Sequence, residues 1–404
     1  MHLAIGLAAG ILIPLMSATG VLLGFERQMI AWIDGTPSVV PTEAAPMSLD
    51  DLLAAAGLER ASVASVVVRA NVTAPYTIRL RERGAAAVLL DPHRGGRVDA
   101  NADERGRAFF AALRRWHRWV GAEAQGLRAK MKVVNGSANL VFLALVLSGL
   151  YLWWPRRWTR ARLRATALPQ WHRAGKVRDF NWHNSLGFWF AIPLALVIAS
   201  GVFISFRWPG QVLDLALGSA RERAEAAAAL RGTTVAARGG AEASVAQASQ
   251  ERGSIAGTTT SQAAPVGARA PLERYLETAR HAHPAWSQLT LTLPEGNGAV
   301  RVAVAEGNTY RPDLRWTLEL DQASATLQRS SGYTDLSTAR KIRAWVRFGH
   351  TGEVFGIFGQ LLATIASAVG VLLVWTGYTL AWRRWRSWRQ RRRRGPVMHG
   401  AVAG

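Results

Sequence analysis

The sequence predicts a membrane protein, mainly α-helical, in which four transmembrane helices carry two small extracytoplasmic α+β domains in a duplicated unit. Three observations predict it. Four apolar stretches are each long enough to cross a bilayer. Each closes on the same phrase, a Ser or Thr, then Gly, then an aromatic five residues after that Gly: Thr19-Gly20 with Phe25, Ser148-Gly149 with Trp154, Ser200-Gly201 with Phe206, and Thr376-Gly377 with Trp382. A histidine also stands eighteen residues ahead of the first and third glycines, His2 before Gly20 and His183 before Gly201.

The apolar blocks run from Leu3 to Phe25, Val133 to Trp154, Ser185 to Phe206 and Val354 to Trp382. Each meets the ~20 residues that a ~30 Å hydrocarbon core requires. The first reads as a retained helix, because no Lys or Arg precedes it and it exceeds a signal-peptide h-region. The resulting plan is helix 1 over 1–25, an outer segment over 26–132 with a folded module at about 47–110, and helix 2 over 133–155. A basic loop (156–182), helix 3 (183–207), a linker (208–270), a second module (271–349), helix 4 (350–382) and a basic tail (383–404) follow.

Orientation follows from charge. Eight Lys and Arg lie between Arg156 and Arg178 with no acid, and eight Arg follow Trp382 with no acid, so these runs supply sixteen of the net +22. By the positive-inside rule the short loop and the tail face the cytoplasm, placing both termini there and both modules outside. Basic runs beside Trp are ordinary topology and lipid-contact features, so the high pI carries no nucleic-acid reading.

The two outer modules have similar patterns. Ser48-Leu-Asp-Asp51 is a helix-capping start, followed by Leu49, Leu52, Leu53 and Ala56 at helical spacing; Leu272, Tyr275, Leu276 and Ala279 repeat that spacing. Period-two alternation marks strands at Tyr76, Ile78 and Leu80, at Leu289, Leu291 and Leu293, at Val300, Val302 and Val304, and at Trp316, Leu318 and Leu320. Turns fall at Asp91-Pro-His-Arg-Gly-Gly96 and Pro294-Glu-Gly-Asn-Gly298. Each module is expected to be one helix on a small antiparallel sheet. From Ser219 to Pro271 the chain is Ala, Gly, Ser, Thr and Gln with few large apolar residues, which reads as a flexible linker with a short helix near Arg221 to Leu230.

The histidines carry the chemistry. His2 and His183 begin helices one and three on the cytoplasmic side, whereas His117 and His350 precede helices two and four on the outer side. Two imidazole pairs, one near each face, are what two stacked haem centres need as a transmembrane electron path. A rise of ~1.5 Å per residue makes the eighteen-residue interval roughly 27 Å. That sets Gly20 and Gly201 level with the outer pair and Gly149 and Gly377 level with the inner pair. Glycine lets a macrocycle or a neighbouring helix approach closely, and simple helix packing accounts for the phrase equally well. Taken singly, each of these histidines also reads as an interfacial anchor. His93, His172 and His399 read as solvated, and His281-Ala-His283 as a helix end. With no Cys, covalent haem attachment and iron-sulfur ligation are excluded.

Leu147-Ser-Gly-Leu-Tyr-Leu-Trp-Trp-Pro-Arg-Arg157, Trp182-His-Asn-Ser-Leu-Gly-Phe-Trp189 and Gly349-His-Thr-Gly-Glu-Val-Phe-Gly356 resemble the hallmark stretches of the PepSY-associated transmembrane helix family. Asp91-Pro-His-Arg-Gly-Gly-Arg-Val98 resembles the turn of the PepSY module, of which the second copy keeps Asp321. The resemblance implies a bacterial inner-membrane protein with periplasmic PepSY-like domains, linked to iron and siderophore uptake. It also implies relatives that act as ferric-siderophore reductases with two non-covalent b-type haems. The expected ligands are His2 and His183 for the cytoplasmic-side haem and His117 and His350 for the periplasmic-side haem, with Gly20, Gly149, Gly201 and Gly377 as candidate cofactor contacts.

Delivering one electron outside the membrane loosens iron from a hard-oxygen chelator, which holds ferric iron far more tightly than ferrous. No Gly-x-Gly-x-x-Gly follows a strand and opens a helix, so a separate cytoplasmic flavoprotein or quinol is the expected electron donor. The alternative reading is a non-enzymatic scaffold or regulator displaying two PepSY binding domains. A transporter is less supported, because no acidic residue lies within the four apolar blocks.

Overall fold

The computed structural model describes residues 6, 10–35, 38–42, 45–82, 85–98, 104–154, 159–238, 269–307 and 309–393; His2 and His399 lie outside the described residues. In chain order the helices are α1 (Leu12–Leu23), α2 (Glu26–Asp34), α3 (Leu49–Ala55), α4 (Glu104–Trp119), α5 (Gln125–Trp153) and α6 (Arg160–Ala167). They continue as α7 (Gly175–Ser205), α8 (Trp208–Leu217), α9 (Ala220–Arg238), α10 (Leu272–Ala282), α11 (Thr338–Thr351) and α12 (Gly356–Arg393). The strands are β1 (Val63–Arg69), β2 (Tyr76–Leu80), β3 (Val88–Leu90), β4 (Trp286–Thr292), β5 (Val300–Glu306), β6 (Arg315–Leu320) and β7 (Leu327–Gly332). The chain divides into two compact units, Met1–Met29 with Glu104–Pro209 and Val346–Gly404, and Ile30–Asp103 with Gly210–Trp345.

The first unit is helical. Among the described residues three helices are long and apolar enough to cross a membrane: α5, α7 and the span Glu353–Gln390, which takes in most of α12. Their apolar side chains are largely not spent on a core, since Leu152 is 66% exposed, Leu196 67% and Phe358 81%. Apolar surface of that extent on helices with internally satisfied backbones matches lipid as solvent, and the chain is a membrane protein. The first expected span is described as a helix from Leu12 to Leu23, with its beginning outside the described residues. A buried cluster of Ile13, Met16, Phe142, Leu194, Ile198 and Val369 joins α1, α5, α7 and α12. Small residues let these helices close up: a Cβ at Gly370 would lie 2.9 Å from Ser17 Oγ, and one at Gly136 would lie 2.8 Å from the Phe206 ring.

The helices outrun the apolar blocks that announced them. α5 begins at Gln125, α7 at Gly175, and α12 continues to Arg393 into the expected tail. Arg, Lys, Ala and Gln are good helix formers, so the backbone ladder continues where hydropathy stops. The extension of α7 brings in Asp179, which is 1% exposed and paired with Arg178 at 3.0 Å and Arg383 at 3.4 Å. Glu353 is similarly buried and meets Arg27 at 2.6 Å, and Glu26 pairs with Arg114.

The second unit corrects the picture of two separate modules. Its strands form one antiparallel sheet in the order β3-β2-β1-β4-β5-β6-β7, joined at the seam where Val66 faces Leu291 and Val68 faces Leu289. Helices α3 and α10 share one core with the sheet, including Leu49, Leu52, Leu272, Tyr275, Val66 and Leu289. A three-stranded half with a seven-residue helix buries little by itself, and pairing β1 with β4 removes an exposed edge from each copy. Asp50, in the first turn of α3, accepts a 2.6 Å hydrogen bond from Leu272 N, so one copy caps the other's helix.

Duplication remains visible in the turns. Asp91 Oδ1 accepts from the amides of His93 and Arg94 with Gly95 at φ 72°, and Asp321 Oδ1 accepts from Ala323 and Ser324 with Ala325 at φ 58°. Ser48 caps α3 as expected, its Oγ accepting from Asp51 N at 3.2 Å. The expected linker is helical over α8 and much of its next stretch, α9, where Glu222 and Asp214 pair with Arg340 and Arg343 of α11. Residues 239–268 lie outside the described residues.

Candidate functional site

His117 and His350 come together. Each lies near the end of an amphipathic helix, α4 or α11, whose basic face alternates with apolar residues. A left-handed step then turns the chain into the next long helix. In the first copy the step is Val120 at φ 51° and Gly121 at φ 80°; in the second it is Gly352 at φ 74°, whose backbone lies against that of Gly359. The two ring centroids are 6.3 Å apart at an interplanar angle of 51°.

Both rings make their hydrogen bonds through Nδ1. His117 Nδ1 donates to Met16 O at 3.1 Å and lies 2.9 Å from Thr19 Oγ1; His350 Nδ1 donates to Val197 O at 2.9 Å and lies 3.0 Å from Ser200 Oγ. A backbone carbonyl can only accept, so the proton sits on Nδ1 and Nε2 keeps its lone pair. Burial, with the neighbouring His350 second, pushes the His117 imidazole from 6.5 down to about 4, and burial lowers His350 as well. Both rings are therefore neutral near pH 7, the form that ligates a metal.

The spacing admits one metal centre. With each Nδ1 bonded to protein oxygens, the two Nε2 lone pairs of this close pair would be available to one metal held between the helices. No group of three or more His, Cys, Asp or Glu side chains converges among the described residues. The pair thus suits a centre whose remaining ligands come from a cofactor, as the four ring nitrogens of haem do.

His183 lies at a second site. Its Nδ1 is 3.0 Å from Thr376 Oγ1, and it lines an apolar cavity of about 260 Å³ with Gly149, Gly187, Gly377, Phe188 and Trp153. The Trp153 and Phe188 rings stack at 3.9 Å. Glycine walls and apolar lining suit a flat hydrophobic ligand beside one imidazole. His2, the expected partner of His183, lies outside the described residues.

Three of the repeated glycines face imidazoles. A Cβ would lie 3.5 Å from His117 Cε1 at Gly20, 3.4 Å from His350 Cε1 at Gly201 and 3.7 Å from His183 Cε1 at Gly377, while Gly149 lines the cavity beside His183. A Cβ would meet Asn139 Nδ2 first at Gly201, and Ser367 Oγ first at Gly20, at 3.3 Å, so these glycines make room for neighbouring helices as well as for the histidine rings. The sequence shows the hydroxyl before each glycine as part of the repeated phrase but does not by itself assign it a role.

The other histidines stand apart. His283 Nδ1 meets Glu306 at 2.8 Å and its ring lies 4.8 Å from Trp316, His172 and His281 are exposed, and His93 is half-buried with a shielded Nδ1 instead of solvated.

Fold and site together define a multi-helix membrane protein with paired, neutral imidazoles held between its helices. The chain belongs to the PepSY-associated TM region family, whose model matches residues 1–384. A search of curated proteins finds no match.

Proposed function

We propose that this protein is a di-haem b-type electron-transfer protein of the bacterial inner membrane that reduces ferric siderophore or ferric iron in the periplasm during iron uptake. The observation that carries the reading is the His117–His350 pair, with centroids 6.3 Å apart and both Nδ1 atoms committed to oxygen acceptors. Haem b, when bound, supplies a one-electron carrier whose potential the surrounding protein tunes. His117 and His350 would hold the periplasmic-side haem, and His183, which lines the glycine-walled cavity, would hold the cytoplasmic-side haem with His2 as its expected partner. Met16, Phe142, Leu194 and Ile198 form a buried apolar cluster between the helices that carry the two sites.

The eight-residue basic sets at 156–178 and after Trp382 support cytoplasmic termini and periplasmic PepSY modules. A cytoplasmic flavoprotein or quinol supplies electrons, the partner around the helices is membrane lipid, and the reaction is that of an oxidoreductase of the ferric reductase type. The visible spectrum of detergent-purified protein tests this. A sharp Soret band that shifts on dithionite addition is expected; a colourless, folded preparation favours the scaffold reading, in which the continuous PepSY sheet is a binding surface.

A further inference from the structure

We propose that the hydroxyls of Thr19, Ser200 and Thr376 are positioning residues that accept from Nδ1–H of His117, His350 and His183, beside the Met16 and Val197 carbonyls at the first two, and set how strongly each Nε2 lone pair donates to a metal. The three seats share one construction. Thr19 Oγ1 donates to Leu15 O at 2.7 Å, Ser200 Oγ to Val197 O at 2.8 Å and Thr376 Oγ1 to Leu372 O at 2.8 Å. With its proton spent on a carbonyl three or four residues back, each oxygen faces an imidazole Nδ1 at 2.9–3.0 Å as an acceptor.

Back-bonding of Ser and Thr to their own helix is common, and by itself it means little. Here the free lone pair finds a histidine from another helix in all three cases, and the glycine that follows leaves space for that ring's Cε1 edge. The chain of carbonyl, hydroxyl and imidazole is cooperative, because each bond polarises the next. An acceptor at Nδ1–H raises electron density at Nε2, which strengthens ligation and favours the oxidised metal. The phrase is therefore an imidazole seat, in which hydroxyl and glycine do separate jobs. Ser148 has the same back-bond, to Leu145 O at 3.1 Å, and its Gly149 lines the His183 cavity.

The metal half of this inference rests on the haem reading and the tautomer half does not, so the test reads both. Full-length protein produced without haem supply and labelled with ¹⁵N-histidine is compared with Thr19→Val, Ser200→Ala, Thr376→Val and the conservative Thr19→Ser. The expected spectrum shows Nδ1–H at all three histidines. Thr376→Val moves the tautomer ratio several-fold toward Nε2–H at His183 alone, whereas in Thr19→Val and Ser200→Ala the Met16 and Val197 carbonyls keep Nδ1–H at His117 and His350, and the lost hydroxyl is read as a shift of that ring's own Nδ1–H signal, which Thr19→Ser leaves in place. Hemin titration of the same samples is expected to show affinity lowered about 10–100-fold in the deletions, with the ferrous-to-ferric ratio at fixed potential shifted toward ferrous and restored by Thr19→Ser. An unchanged tautomer ratio at His183 in Thr376→Val overturns the proposal, as does an Nε2–H tautomer in the parent protein. A tautomer shift in a protein that takes up no hemin keeps the seats and removes the haem reading.

Discussion

Replacing the seat glycines with Val separates an imidazole seat from ordinary helix packing. At Gly377 a Cβ alone would meet His183 Cε1 at 3.7 Å, which is ordinary contact, whereas at Gly201 it would meet Asn139 Nδ2 before His350 and at Gly20 Ser367 Oγ at 3.3 Å before His117, so Gly377 is the clean position. Ala should therefore be tolerated at Gly377, where His183 is the neighbour. Val adds a branch that extends about 1.5 Å further, and overpacking of this kind costs about 1–3 kcal/mol. The rings cannot swing aside freely, since His117 and His350 are each pinned at Nδ1 by two oxygens. If the strain falls on the bound state, hemin affinity drops roughly 5- to 150-fold at the matching centre. Gly126→Val is the control, because a Cβ there meets nothing within 4 Å. Hemin titration followed at the Soret band measures the series. Equal affinities for Gly377→Val and Gly126→Val would refute the reasoning, because Gly377 would then have no bearing on the His183 ring.

Three further outcomes follow from the structure. His117→Ala or His350→Ala should remove about half of the haem and abolish outward electron delivery, leaving a second reducible centre in the spectrum; retention of the full complement counts against the pair. Asp50→Ala removes the cap on Leu272 N and should lower stability by about 1 kcal/mol, read as an earlier thermal transition. Glu222 is held down at about 2 from 4.5 by the Ser219 amide first, then by Ser337 and Arg340 hydrogen bonds. Its folded pKa is depressed, so its contribution is complete above about pH 4.5 and fades as pH falls toward 2. Glu222→Gln should flatten that stretch of the stability-pH curve, and an unaltered curve would disprove the assignment.

The legible parts of the fold were those with a strong local signal. Unbroken apolar runs marked α5, α7 and α12, and the alternation in Leu289, Leu291 and Val300 to Val304 marked β4 and β5. β1 escaped because Val66, Val67 and Val68 run together in a strand central to the sheet, which erases alternation. β3 is three residues long, and β7 is a mostly exposed edge that reads Leu-Gln-Arg-Ser-Ser-Gly. The β1–β4 seam joins positions more than two hundred residues apart, and nothing local encodes it. In the site, His117 and His350 were paired from their shared place just ahead of the second and fourth apolar blocks, and their rings lie 6.3 Å apart. The seats were not legible, because a hydroxyl three residues from its own carbonyl looks like any helical Ser or Thr until another helix delivers an imidazole to it.

Haem stoichiometry per polypeptide is the most direct measurement, made by pyridine haemochrome on detergent-purified, full-length protein against quantitative amino-acid analysis. Two b-type haems per chain, both low-spin in the oxidised electron paramagnetic resonance spectrum, are the predicted result. A folded protein with neither iron nor porphyrin would contradict the account.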